Sequence, residues 1–141
     1  MIKIENVSKA FREKIVLSKI SFTANEGEVT ALIGPNGSGK STLLKILLGL
    51  ISTDEGRATF DGKNYGELGK YPFRYVGTFL DSFQPNPTRT AYNHLRWIAL
   101  TSGISKQRCL ECLKIVGLQD VGNKKIKDYS LGMKQRLGLA T

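Results

Sequence analysis

The segment GPNGSGKST, residues 34–42, has the residue types and spacing of a loop that binds a polyphosphate. Glycines lack the Cβ atom that would hold backbone N–H groups away from phosphate oxygens, and they reach positive φ without strain. Successive amides can then form a concave anion site. The pattern G-x-x-x-x-G-K-[S/T] is complete, with Gly34, Gly39, Lys40 and Ser41 in place. The segment therefore predicts a nucleotide phosphate site.

Two side chains of this segment carry predicted chemistry. Lys40 is expected to reach the terminal phosphates as a mobile point charge, and the Ser41 hydroxyl is expected to hold Mg²⁺. A helix that begins here would add its unsatisfied N–H groups and its dipole. The alternative is a glycine turn without chemistry, but the apolar strand pattern before the loop and the helix pattern after it favour phosphate binding.

The surrounding pattern predicts the elements that position the loop. EVTALI, residues 28–33, is a short apolar run typical of a strand buried on both faces of a parallel sheet. A helix pattern follows over residues 42–50. Further strands are predicted at residues 1–7, 15–23, 56–65 with a tight turn at Asp61-Gly62, and 74–80, and helices over 90–100, 105–118 and after Tyr129.

Cys109 and Cys112 have the spacing C-x-x-C, which admits a redox or zinc interpretation. They lie within a helical pattern of apolar residues, and a zinc site needs further ligands. Packing of two small thiols on a helix face is therefore the favoured interpretation. His94, the single histidine, is predicted to be a partly exposed helical residue.

Composition and charge indicate one soluble domain. The 141 residues are 40% hydrophobic and carry a formal charge of +9. The excess could indicate nucleic acid, an anionic membrane surface or a phosphate ligand, but the basic residues are scattered and a solvated surface explains most of them. MIKIENVSK has no apolar core of a secretory leader, and the most apolar stretch is too short to span a bilayer. These features predict a cytoplasmic protein.

The sequence resembles the ATP-binding domain of an ABC transporter over nearly its whole length. The resemblance rests on Phe11, on the phosphate loop, on VGTFLD at residues 76–81 and on YSLGM at residues 129–133. It implies an α/β fold of the P-loop NTPase type, an ABC-type ATPase core with an antiparallel β subdomain and a helical subdomain, C-terminally incomplete. The expected division is a β subdomain and phosphate-loop core at 1–85 and a helical subdomain with the signature motif at 86–141.

The resemblance also implies the nucleotide contacts, with ATP and Mg²⁺ as cofactors. Phe11 would stack on adenine, for which only a π face is needed; its alternative role is to cover a hairpin edge. The implied nucleotide-binding set is Phe11, Val16, Gly34, Asn36, Gly37, Ser38, Gly39, Lys40, Ser41, Thr42, Ser130 and Gly132.

Asp81 stands where the resemblance places the glutamine of the family's Q-loop. With Lys40 it is the implied catalytic residue, and with Ser41 it is the implied metal ligand. An aspartate is shorter and anionic, so it could face Mg²⁺ while positioning water differently. A plain loop carboxylate is the alternative. An acidic residue here is similar to exporters of the bacitracin and lantibiotic self-resistance type.

The segment YSLGM aligns with the family's LSGGQ signature, where Ser130 and Gly132 keep the positions that matter most. A hydroxyl and a free amide at a helix start can contact phosphate oxygens. In the family this turn closes on the γ-phosphate of ATP held by a second domain. A plain helix N-cap at Ser130 is the alternative. Tyr129, Leu131 and Met133 depart from the usual motif and resemble the bacitracin-type form SLGMKQR.

The family's Walker B acids and its histidine switch have no counterpart in these 141 residues. Phosphoryl transfer to water depends on positioning and electrostatics, so this chain alone is expected to bind ATP-Mg weakly and to hydrolyse it poorly. The resemblance also places strands from that region between the phosphate-loop strand and the Q-loop strand. Unpaired strand edges are therefore expected here.

The function implied by the resemblance is that of an ATP-binding subunit, which couples ATP binding and hydrolysis to transport through a separate transmembrane permease subunit. Its cargo would be a peptide antibiotic or another hydrophobic compound, exported from the cell. The implied partners are the permease and a homodimer mate or second ATP-binding domain, and the implied location is the inner face of the cell membrane, with nucleic acid disfavoured. The alternatives are a nucleotide-binding module without turnover and a non-transport ABC ATPase acting on ribosomes or DNA.

Overall fold

The computed structural model describes residues 1–79 and 84–141. The chain divides into two compact units, Met1–Gly77 and Thr78–Thr141. The sequence-based boundary lies after residue 85. Each unit has its own buried core.

The first unit is built on a three-stranded antiparallel sheet. Its strands are β1 (Ile2–Phe11), β2 (Lys14–Ala24) and β3 (Glu55–Phe60), in the order β2-β1-β3. The predicted strands at residues 1–7 and 15–23 are confirmed, and both extend further. Their alternating apolar residues supply one buried face, as expected for an antiparallel sheet that is covered on one side.

The predicted tight turn at Asp61-Gly62 is also confirmed. Asp61 and Gly62 both have positive φ, at 48° and 80°. Phe60 and Lys63 exchange backbone hydrogen bonds of 2.8 and 2.9 Å across the turn. Positive φ at both central residues is the geometry that matches the right-handed twist of the flanking strands.

Helix α1 (Lys40–Leu47) follows the phosphate loop and packs against β3. It begins two residues before the predicted helix and ends before Leu48, whose N–H bonds back to the Leu44 carbonyl at 3.0 Å. Leu43, Ile46 and Leu47 form its buried face. The spacing of these three residues is that of an amphipathic helix on a sheet.

Two predicted strands do not form. Residues 28–33 and 74–79 have no strand pairing among the described residues, and the predicted 74–80 strand is instead preceded by a 3₁₀ turn at Pro72–Arg74. Val29 is fully exposed and Ile33 nearly so. A strand of a parallel sheet is stabilised by pairing with its neighbours, and within the described ranges no segment forms a ladder of hydrogen bonds with either run. Both runs therefore remain without strand structure among the described residues.

An apolar cavity of about 350 Å³ lies in the first unit, among side chains that include Ile4, Phe22, Leu32, Leu43 and Leu47. Its lining comes from β1, β2, the 28–33 segment and α1. The cavity and the exposed 28–33 run are both parts of a core that is only partly covered.

The second unit, here called the helical unit, contains α2 (Ala91–Thr101), α3 (Lys106–Ile115) and α4 (Leu131–Leu139). All three predicted helices are confirmed. Short 3₁₀ turns occur at Tyr65–Glu67 in the first unit and at Gln119–Val121 and Ile126–Asp128 in the helical unit. No helix in the described ranges is long and apolar enough to cross a membrane.

The core of the helical unit contains Cys109 and His94. Cys109 is buried in the apolar cluster of α2, α3 and α4, as the packing interpretation predicts, with Cys112 packed against that cluster. The prediction of a partly exposed His94 is wrong, because its side chain is only 6% exposed. Helical periodicity alone gave no sign that this polar residue lies on the buried face of α2.

Candidate functional site: the phosphate loop

The predicted phosphate loop runs from Gly34 to the start of α1. A turn closes its first part, where the Ser38 N–H donates to the Pro35 carbonyl at 3.2 Å. Gly37 and Gly39 both lie in the left-handed region, at φ 81° and 91°. L-residues adopt this region at a cost. The glycine positions in the sequence therefore match the backbone that they must form.

Gly39 is also required by lack of space. A Cβ atom at this position would lie 2.7 Å from Leu17 Cδ2 and 2.9 Å from the Val16 carbonyl oxygen. The last residue before α1 thus packs directly against β2. This contact fixes where the helix begins and so fixes the direction of its first N–H groups.

The N-terminus of α1 lacks the usual compensation for its free N–H groups. Gly39 offers no side-chain cap, and the first turn contains no acidic residue. The first N–H groups of any helix have no intrahelical acceptor and carry partial positive charge. Such an end attracts an anion, and a phosphate is the natural ligand for it.

The ammonium of Lys40 lies across the loop. Its Nζ donates to the Gly34 carbonyl at 2.7 Å and to the Pro35 carbonyl at 2.8 Å, with the Ser38 hydroxyl at 3.5 Å. The cation and the uncapped helix end are therefore parts of one segment. Both would act on the same anion.

The remaining predicted loop residues surround this charge. Asn36, Ser38 and Ser41 are exposed, and Thr42 is half-buried. Gly34 stands close to Ser38, since a Cβ on Gly34 would lie 2.8 Å from the Ser38 hydroxyl oxygen. Ser41 lies in the first turn of α1, so its hydroxyl is accessible at the same end of the helix.

Val16 lies on β2 beside this site, and Phe11 lies at the end of the paired strand β1. Val16 is brought next to the loop, with its Cγ1 3.2 Å from the position of a Cβ on Gly39. Phe11 ends β1 and is 44% exposed, and the Lys9 ammonium lies 5.6 Å from its ring centroid. An exposed ring face of this kind is suited to stacking.

Ser130 and Gly132 lie in the helical unit, at the start of α4. The Ser130 hydroxyl oxygen accepts a hydrogen bond from the Met133 N–H at 3.3 Å, so Ser130 is the N-cap of this helix. Gly132 is exposed in the first turn. The capping alternative is therefore realised. It uses only an acceptor site of the hydroxyl, whose O–H remains available as a donor.

Tyr129, one of the departures from the usual signature, has a structural role. It is buried, and its phenol donates to the Val121 carbonyl at 2.7 Å. Burial raises the pKa of this phenol. The aromatic residue thus anchors the start of α4 to the preceding turn.

Asp81, the predicted second metal ligand, lies outside the described residues. In the described ranges no three His, Cys, Asp or Glu side chains form a group able to hold a metal.

Sequence reasoning missed Leu17, which packs on Gly39, and Pro35, whose carbonyl accepts from Lys40. The alternation of β2 indicated that Leu17 is buried, but it could not indicate what covers it.

Comparison with known proteins identifies the family of this chain. Residues 17–141 match the family described as ABC transporter. The chain is 36% identical over 140 residues to the lantibiotic transport ATP-binding protein SrtF of Streptococcus pyogenes, covering 99% of this chain and 60% of that protein. It is 36% identical over 141 residues to the bacitracin transport ATP-binding protein BcrA of Enterococcus faecalis, covering 99% of this chain and 46% of that protein.

Solved structures give the same result for the fold. A bacterial ABC transporter cassette solved as a dimer aligns with a TM-score of 0.83 and 30% identity, covering 99% of this chain and 68% of that one. The ATP-binding subunit of an ABC transporter aligns with a TM-score of 0.83 and 25% identity, covering 100% of this chain and 61% of that one.

The chain belongs to the ABC transporter family, and its fold is that of the ABC ATPase cassette, a P-loop NTPase. It spans about 60% of the length of SrtF and about half the length of BcrA.

Proposed function

We propose that this chain is the nucleotide-binding part of an ATP-binding subunit, which binds ATP-Mg at residues 34–42. The observation that carries the proposal is the N-terminus of α1, which has neither a capping side chain nor an acid. It is preceded by left-handed glycines and followed by Lys40. This combination offers several N–H donors and one full positive charge to a triphosphate.

Binding would exchange hydrogen bonds at Lys40. Its ammonium now donates to two neutral carbonyls, those of Gly34 and Pro35. A phosphate oxygen is a stronger, charge-assisted acceptor than a carbonyl. The ammonium therefore turns from the carbonyls toward the bound phosphates, with little change of backbone.

Mg²⁺ would be held through oxygen ligands. The Ser41 hydroxyl stands at the helix end, and Mg²⁺ at phosphate sites commonly uses few protein ligands together with phosphate oxygens and water. This chemistry needs no group of three acids. Asp81 is the proposed second protein contact to the metal.

Hydrolysis needs a group that orients the attacking water. The phosphate loop supplies charge and amides, and Asp81 is the proposed water-positioning residue in this chain.

The signature turn would act on a second domain. While the Ser130 hydroxyl accepts from Met133, its O–H can donate to the γ-phosphate held by another copy. Gly132 leaves the approach open, since no atom lies within 4 Å of its Cβ position. One ATP would then join two domains.

The proposed partner is a membrane permease, with the chain placed at the cytoplasmic face of the membrane. The similarity to proteins named for lantibiotic and bacitracin transport and linearmycin resistance supports export of a peptide antibiotic or another hydrophobic compound. The helical segment from residue 90 to residue 121 is the proposed docking region.

The test is a titration with ATP-Mg of the chain and of Lys40→Ala, with phosphate release followed in the same samples. We expect Lys40→Ala to weaken binding by about ten- to a hundredfold, the worth of one charge-assisted contact. Lys45→Ala is the matched control, because Lys45 lies exposed on the same helix. Equal affinity of the parent chain and Lys40→Ala would refute the assignment.

A further inference from the structure

The helical unit carries a group of four cations that the phosphate site does not use. We call it the basic ridge: Arg89, Lys124, Lys125 and Lys127. Backbone pairing holds its two segments together, since the Ile126 N–H donates to the Arg89 carbonyl at 2.9 Å and the Lys127 N–H to the Pro87 carbonyl at 3.0 Å. Thr90 and Lys125 also form an antiparallel bridge. The tertiary structure thus joins charges that lie 35 or more positions apart in the sequence.

The basic ridge has one acidic neighbour in its own turn, Asp128, which directly follows Lys127. In the described part of the chain, none of the four cations of the basic ridge forms an ion pair. The sequence of the helical unit has ten basic and four acidic residues, which leaves it at +6 of the total +9. One of those acids, Glu111, is already paired with Arg108.

An exposed apolar surface adjoins the basic ridge. The Arg89 guanidinium lies 4.8 Å from the centre of the Trp97 ring, which is 54% exposed. Leu100 is 68% exposed and lies three residues further along α2. Residues three apart share a helix face, so Trp97 and Leu100 lie on one face of α2, with the Arg89 guanidinium beside the tryptophan.

We propose that the basic ridge and Trp97 bind the surface of an anionic phospholipid bilayer, beside the permease on which other residues of the segment 90–121 dock. Clustered Lys and Arg attract acidic headgroups, and tryptophan favours the boundary between headgroups and acyl chains. Lysine is depleted from protein interfaces, which disfavours a protein ligand for the three lysines. The same cations would attract nucleic acid, but a phosphate backbone offers no apolar surface for the exposed Leu100 to contact.

The test uses the fluorescence of Trp97, which is the only tryptophan of the chain. The full chain is mixed with phosphatidylcholine vesicles, and with vesicles that also contain phosphatidylglycerol. We expect co-sedimentation and a blue shift of the emission with the anionic vesicles only, and both should weaken as salt is added. The triple variant Lys124→Gln, Lys125→Gln, Lys127→Gln should bind about a hundredfold more weakly, since each lysine near an anionic surface contributes a factor of about five.

The matched control is the triple variant Lys19→Gln, Lys106→Gln, Lys114→Gln, which removes the same charge from exposed positions elsewhere. It should retain most of the vesicle binding, and circular dichroism should show that both triple variants are folded. Equal weakening of the two variants would show a non-specific charge effect and overturn the proposal. Absence of a shift in the Trp97 emission, or release of the chain from the vesicles when an equal mass of duplex DNA is added, would also overturn it.

This inference is separable from the proposed nucleotide site. Lys40→Ala should bind the anionic vesicles as the parent chain does, because Lys40 belongs to the first unit. Failure of vesicle binding would leave the ATP titration unaffected.

Discussion

The N-terminus of α1 differs from the N-termini of the helices in the helical unit. Thr90, Ser105 and Ser130 each accept a hydrogen bond from the N–H three residues ahead, at 3.1, 3.2 and 3.3 Å. Helix α1 begins instead at Gly39, with φ 91° and no capping side chain. In three helices a side-chain cap accepts from one N–H of the first turn, while α1 has no such cap and leaves that N–H open toward the phosphate loop.

This difference teaches how a helix end is made available to a ligand. A capping hydroxyl stabilises a helix by about 1 kcal/mol, so its omission at α1 costs stability unless a ligand supplies the acceptor. At α1 that ligand would be the phosphate proposed above. Ser130 shows an intermediate arrangement, because it caps α4 while its O–H can still face outward.

The largest expected change in the free energy of unfolding comes from Gly39→Ala. The change places a Cβ at positive φ and within 2.9 Å of the Val16 carbonyl and the Leu17 side chain. Strain and overpacking together should lower the free energy of unfolding by about 2–4 kcal/mol. Chemical denaturation measures this loss, and ATP titration should show loss of binding as the loop shifts.

Gly132→Ala is the matched glycine control for stability. Gly132 lies within α4, without positive φ and without an atom within 4 Å of its Cβ position. Alanine is the better helix former, so this variant should gain about 0.5–1 kcal/mol. If the two variants changed stability equally, the special role of Gly39 would be refuted.

A smaller loss of stability is expected when the N-cap of a helix is removed. Thr90→Ala removes the acceptor for the Asn93 N–H and should lower the free energy of unfolding by about 1 kcal/mol. The chain should still bind ATP-Mg with the affinity of the parent, because α2 contributes nothing to the phosphate loop. Ser130→Ala should cost a similar amount of stability. A tenfold change in the nucleotide affinity of folded Thr90→Ala would contradict the expectation that the N-cap of α2 does not contribute to the nucleotide site.

The smallest effect is a pH dependence confined to the helical unit. Burial lowers the pKa of His94 below its ordinary value of 6.5, with a further contribution from the charge of Arg89. The unfolded state then binds the proton more readily, so stability is full above pH 6.5 and declines as pH falls toward the lower folded pKa. Unfolding followed by Trp97 fluorescence should report this decline as the pH falls below about 6.5.

His94→Gln removes the titrating group and provides the control. Its absolute stability will differ, but its slope with pH over this range should be smaller than that of the parent chain. The same slope in both proteins would assign the pH dependence to other groups.

Much of the fold and of the site could be predicted from the sequence, because the signals are local. The loop needs glycine at fixed positions, the hairpin turn needs Asp61 and Gly62, and the helices show apolar periodicity behind hydroxyl residues. Each of these preferences acts within a few residues. Pairing with distant segments is not required to recognise them.

The predictions that failed concern contacts between distant parts of the chain. The apolar run at 28–33 is indistinguishable in sequence from a paired core strand, yet a strand exists only where a neighbour accepts its hydrogen bonds. His94 lies on the buried face of α2, and periodicity did not reveal which polar residue that face would include.

The sequence by itself determined the chemistry proposed for the phosphate loop, since glycine, lysine and serine in this order can place amides, a cation and a hydroxyl around one anion. The tertiary structure alone decided that Leu17 and Val16 fix Gly39, that Tyr129 anchors the signature turn and that the basic ridge is assembled. The physical reason is the separation in sequence over which each interaction acts. Backbone conformation follows from neighbouring residues, whereas burial and charge clustering depend on which distant segments pack together.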